Sequence, residues 1–149
     1  MLKRLVAFVA LFYVLAGGCV GHRAGPELDA AVLFSINPNV ARSVGAEDTF
    51  HGYPILGQLV LAGQEKVELL AAWAKGKADK PKYGAKCFIP RHGLRLTESG
   101  VSQEYVICFQ CNRVEAYRGS DEFKADTIDD APRVVFNRIL RAASIPLVE

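Results

Sequence analysis

Four residues in one stretch could do chemistry together: Cys87, His92, Cys108 and Cys111. Cys87 opens the run Cys-Phe-Ile-Pro-Arg-His-Gly-Leu-Arg. Cys108 and Cys111 close a C-x-x-C in Tyr-Val-Ile-Cys-Phe-Gln-Cys-Asn. Three chemistries fit these residue types. One is a structural disulfide among Cys87, Cys108 and Cys111, with the third thiol left over; neighbouring strands can bring two Cα atoms within about 4.4–6.8 Å. Another is a zinc site, Cys3His, in which a turn at Gln110-Cys111-Asn112 aims two thiolates the same way. Asn112 suits such a turn because it tolerates the left-handed backbone. Against zinc, one C-x-x-C is half of a ribbon signature, and Cys87 to His92 is an irregular ligand spacing across Pro90. The last is redox catalysis, as in thioredoxin-like enzymes. There the first cysteine opens a helix that lowers its pKa. Residues 112–118 alternate like a strand instead, which disfavours that reading.

Arg91, His92 and Arg95 could bind a phosphate or carboxylate. The plainer expectation is that both arginines pair with nearby acids on an exposed hairpin. No acid next to His92 in sequence orients it, and no serine motif supports a hydrolase triad. His51, beside Gly52 and Tyr53, reads as structural or exposed.

The elements that must position these residues follow from periodicity. Residues 30–36 read as a strand stopped by Asn37-Pro38-Asn39, and residues 37–49 as loop. A second strand is read in the stretch from Phe50 to Gly57 that leads into Leu59-Val60-Leu61, with Pro54 at an edge or entry position. A helix is expected over 64–75, with Val67, Leu70, Ala71 and Ala74 on its apolar face, Trp73 at the border as a core anchor, and Gly76 as cap. Lys75, Lys77, Lys80 and Lys82 mark a basic loop that reads as solvated, with contact to anionic lipid or wall polymer as the sharper alternative. Short strands are expected at 86–90 and 94–97, then a turn at Glu98-Ser99-Gly100. Residues 105–109 read as a strand buried on both faces, and 113–118 as another. Residues 119–130 read as an acidic loop without the spacing of a calcium site. A closing helix over 132–143 carries Val135, Phe136, Ile139, Leu140 and Ala143 inward, with Arg138 and Arg141 towards its C-terminal end. This order predicts an α+β fold: a small antiparallel sheet packed with two helices, in a single domain over residues 29–149.

The start of the chain reads as a targeting segment. Met1-Leu2-Lys3-Arg4 is basic, residues 5–16 are apolar and uncharged, and Ala16-Gly17-Gly18 precede Cys19. The run is shorter than the roughly 20 residues that span a bilayer. Leu15-Ala16-Gly17-Gly18-Cys19 approximates a bacterial lipobox, with its leucine one place early. Residues 1–18 are therefore expected to be a signal peptide, Cys19 the acylated residue and residues 19–28 a tether. Ordinary secretion into the periplasm or medium is the alternative. Val20 after Cys19, rather than aspartate, points to the outer membrane. Of the 18 basic residues, Lys3 and Arg4 fall in this segment, and the other 16 equal the 16 acidic ones. A neutral domain lacks the basic footprint of a nucleic-acid binder.

Phe50 to Gly57, Cys87 to Arg95, Ile107 to Cys111 and Phe136 to Leu140 together resemble a group of small bacterial proteins, some with a lipoprotein signal. The resemblance spans about residues 50–147. It implies that the cysteine cluster is the centre of a module, and it assigns no activity, cofactor or catalytic residue. The expectation is an exported, lipid-anchored envelope protein, a non-catalytic binding or structural module stabilised by its cysteines. The alternative is a thiol- or zinc-dependent enzyme using Cys87, His92, Cys108 and Cys111.

Overall fold

A computed structural model describes residues 28–43, 45–119 and 121–148. The segment read as a signal peptide, Cys19 and the expected tether up to residue 27 lie outside them. Seven antiparallel strands form one curled sheet with two helices, an α+β fold. The strands are β1 (Leu28–Ile36), β2 (Thr49–Phe50), β3 (Tyr53–Val60), β4 (His92–Glu98), β5 (Val101–Cys108), β6 (Arg113–Arg118) and β7 (Asp121–Thr127). The helices are α1 (Gly63–Ala78) and α2 (Arg133–Ala142). The sheet order is β2-β3-β1-β4-β5-β6-β7. β1 thus lies between β3 and β4, and α1 with the irregular segment after it carries the chain from one side of β1 to the other.

Alternation divides the sheet into two buried faces. On one, Ala31 and Leu33 of β1, Leu94 of β4 and Ile107 of β5 pack against Leu69 and Trp73 of α1 and Phe136, Ile139 and Leu140 of α2. Burying each large side chain stabilises the fold by about 1.5–3 kcal/mol. On the other, Phe34, Ile36, Val106 and Tyr117 pack with Phe50 and Tyr53. The Phe34 and Phe50 rings stack with centroids 4.3 Å apart. Val106, Ile107 and Cys108 are all buried, so the C-terminal end of β5 is covered on both faces, while Val101 at its start is exposed. Ser99 and Gly100 join β4 to β5 with positive φ at both positions, the geometry of a tight two-residue hairpin turn.

Several elements differ from the sequence expectation. The face that α1 buries is Leu69, Trp73 and Gly76, and Val67 is 61% exposed. Ala71 and Ala74 are exposed too. Trp73 is the anchor, near Tyr105 and Phe136, and it draws Leu69 one turn before it inward. Gly76 does not cap the helix, which runs on to Ala78. A Cβ at Gly76 would collide with Pro132 Cγ, so glycine is there for close approach. Residues 86–90 are not a strand; they lie across the end of the β5–β6 hairpin without joining the sheet. Residues 121–127 form β7, paired with β6, rather than a loop. Their apolar content is low because β7 is an edge strand.

α2 follows its pattern closely: Phe136, Ile139 and Leu140 are buried, while Ala143 lies beyond its end and is exposed. The Asp129 carboxylate accepts the Ala131 N–H at 2.9 Å just before it. After it, the Pro146 carbonyl accepts the hydroxyl of fully buried Ser35, which ties the C-terminal tail to the middle of the sheet. No helix among the described residues is long and apolar enough to cross a membrane.

Candidate functional site

The β5–β6 turn brings three of the four predicted site residues together. Cys108 ends β5, Cys111 precedes β6, and a disulfide joins them with Cα atoms 5.2 Å apart. Asn112 adopts φ of 51°, the left-handed conformation its type permits. Its side-chain amide donates to the Ile128 carbonyl at 3.0 Å. Cys87 is an exposed free thiol on the segment that crosses the turn, with Sγ 3.2 Å from Cys111 Sγ.

His92 does not join the thiols. It lies on the opposite face of the sheet, 3% exposed, between the Phe109 and Phe136 rings. Its Nε2 is 2.7 Å from Asn137 Oδ1. Burial lowers its pKa to about 4, partly offset by the hydrogen bond to Asn137, and Arg91 and Arg133 lower it further. The ring is therefore neutral near pH 7. Among the described residues no group of three or more His, Cys, Asp or Glu is placed to hold a metal ion. The Cys3His arrangement of Cys87, His92, Cys108 and Cys111 is not assembled here.

His92 instead floors a cleft of about 890 Å³ between α2 and the end of the β5–β6 hairpin. Arg91, Arg133, Arg138 and Arg141 line it, with Ile89, Phe109, Val134 and Leu147 as apolar wall. Among the described residues no acidic side chain lines it. Arg91 donates to Gln110 Oε1 at 3.0 Å, which ties the cleft to the C-x-x-C turn. Arg133 lies 3.5 Å from Asp130 and Arg138 pairs with Glu68, all four side chains roughly half exposed. Val134, Arg138 and Arg141 recur at helical spacing along α2, so periodicity sets them on one side, with Arg133 at its edge.

Arg95 leaves this group, because it alternates to the other face of β4. There it pairs with Glu104, whose carboxylate also accepts from His51 Nε2 at 2.7 Å. Burial pushes the Glu104 pKa up, but the hydrogen bonds from His51 and Arg95 outweigh it and hold it low. The His51 ring stacks on Tyr117 at 3.7 Å, and Arg42 Nη2 donates to the Tyr117 hydroxyl at 2.8 Å. His51 is thus a structural histidine. Its positive φ of 49° is enforced by the β2–β3 turn. Nothing local in the sequence marks Glu104 as its partner, since the two are 53 positions apart.

The lysines expected on a basic loop are also held down, and Lys75 and Lys77 lie in the last turn of α1 rather than in a loop. Lys77 and Lys80 converge on Asp126 of β7 at 2.8 and 2.9 Å, and Lys75 pairs with Asp79.

Comparison with protein-family models, with curated proteins and with solved structures returned no match.

Proposed function

We propose that this is an exported, lipid-anchored envelope protein whose folded domain is a non-catalytic module that binds an organic anion in the cleft beside α2. Four guanidiniums on one cleft, two of them ion-paired to acids outside its lining, carry this reading. Guanidinium groups favour carboxylate and phosphate because their forked donors match two oxygens at once. The apolar wall favours a ligand with a hydrocarbon body over a bare inorganic ion, and the volume falls within the usual range for small-molecule sites. His92, neutral and already bonded to Asn137, shapes the floor and offers no acid–base chemistry at neutral pH. The anchor rests on the basic and apolar opening of the chain and on Cys19.

Titration of the isotopically labelled protein with octyl phosphate, octanoate and neutral octanol tests the cleft. Amide shifts confined to residues 89–92, 109–110 and 133–141 are expected with the two anions and weak ones with octanol. Equal responses to all three, or none to any at millimolar concentration, would remove the anion site. Anchoring is checked separately: the native protein is expected in the detergent phase on phase partition, and Cys19→Ser is expected to leave it.

A further inference from the structure

Cys87 is not a solitary thiol. It is exposed, while Cys108 and Cys111 are 1% and 0% exposed, and its Sγ touches Cys111 Sγ at 3.2 Å. The backbone holds this contact. The Ala85 N–H donates to the Cys111 carbonyl at 2.8 Å, and the Arg91 N–H to the Ile107 carbonyl at 3.3 Å. Between them, the Ile89 N–H donates to Cys108 Sγ at 3.4 Å. Gly84 packs so tightly on the turn that a Cβ there would lie 2.9 Å from the Cys111 and Asn112 carbonyl oxygens. The segment bearing Cys87 is therefore stitched to both ends of the disulfide.

We propose that Cys87, Cys108 and Cys111 form a thiol–disulfide exchange site that carries a disulfide from the buried turn to the exposed segment and presents it to small thiols in solution. Cys87 loses its proton to solvent and its thiolate attacks Cys111 Sγ. The Cys87–Cys111 bond forms as the Cys108–Cys111 bond breaks, and Cys108 leaves as a thiolate that takes up a proton. No net oxidation or reduction occurs, and no further reactant is needed. Bond formation requires the sulfurs to close from 3.2 Å to about 2.05 Å, a movement of about 1 Å. A small monothiol can then attack Cys87 Sγ. That step forms a mixed disulfide on Cys87 and releases Cys111 as a thiolate. Direct attack by the same thiol on Cys108–Cys111 is blocked by burial, and exchange rates depend on access. Cys87 is thus the entry point to a disulfide that solvent does not reach.

Mapping of free thiols in the oxidised full chain tests this. The protein is held at mildly alkaline pH, quenched with acid, alkylated, digested and analysed by mass spectrometry, which tells the four cysteines apart. Label on Cys108 as well as on Cys87 is expected, because both disulfide isomers coexist. Reduction by glutathione is followed in parallel. Cys87→Ser alters only an exposed side chain and is expected to slow reduction of Cys108–Cys111 by about tenfold or more. Label on Cys87 alone would overturn the proposal, and so would equal reduction rates in the variant and the parent.

Discussion

His92 of β4 and Asn137 of α2 meet at 2.7 Å beneath the cleft, the imidazole enclosed and donating through Nε2–H to the amide oxygen. The pair joins the sheet to the closing helix through neutral groups. The two guanidiniums beside it, Arg91 and Arg133, oppose any positive charge on the ring.

A pH dependence follows from this. The folded-state pKa of His92 is about 4 against an ordinary value of 6.5, chiefly because the ring is buried. Between those values the unfolded chain binds more protons than the native one, so acid favours unfolding. The contribution is complete above pH 6.5 and is lost as pH falls towards 4. It amounts to about 3 kcal/mol, at about 1.36 kcal/mol per pKa unit. Urea unfolding across this range should show the midpoint falling in the parent and falling less in His92→Gln, where only carboxylates such as Glu104 still respond. A parent midpoint that does not move would show that His92 is not held neutral.

Gly76→Ala should destabilise the protein although it improves helix propensity. Alanine gains about 1 kcal/mol over glycine in a helix interior. Here its Cβ would collide with Pro132 Cγ and lie 3.3 Å from Ile128 Cγ1. Overpacking of this kind costs about 1–3 kcal/mol. A lower melting temperature is expected; a rise would mean that the α1–Pro132 contact yields cheaply.

Glu104 is the hub of the face opposite the helices, bonded by both His51 and Arg95. Glu104→Gln keeps the shape and removes the charge, and it should cost about 1–2 kcal/mol. Its effect should not add to that of His51→Gln. A double-mutant cycle that returns a coupling below about 0.5 kcal/mol would separate the two residues.

Asp126 gathers Lys77 and Lys80. Partial burial works to raise its pKa, but the hydrogen bonds from the two lysines outweigh it and hold the carboxyl well below the ordinary carboxylate range. Asp126→Asn should cost about 1 kcal/mol, the scale of a partly exposed ion pair. It should also speed amide exchange at the end of α1 and in the loop after it. Unchanged exchange there would show that the lysines do not restrain the loop.

The elements read most easily from the sequence are those whose pattern is carried by large side chains. Phe136, Ile139 and Leu140 recur at helical spacing and define the inner face of α2, and the alternation of β5 marks a strand buried on both sides. α1 is harder, because half of its candidate face is alanine. Alanine buries little area, so a single Trp73 packed near Phe136 of α2 sets the rotation of the helix. β7 carries only a weak apolar signal, Phe123 and Ala125, and backbone pairing with β6 holds it as an edge strand.

The candidate site divides in the same way. Residue types and spacing mark Cys87, Cys108 and Cys111 as a cluster, and the short C-x-x-C turn makes a local disulfide possible. Folding alone sends His92 to the sheet face opposite the thiols and Arg95, an odd number of positions along β4, to Glu104 on the other face, because sheet register directs the side chain at each strand position. Folding alone also brings Arg133, Arg138 and Arg141 to Arg91, and Ser35 to Pro146 across 111 positions of sequence. Local propensity is written within a few residues, whereas a cleft or a buried pair exists only once distant strands and helices have packed.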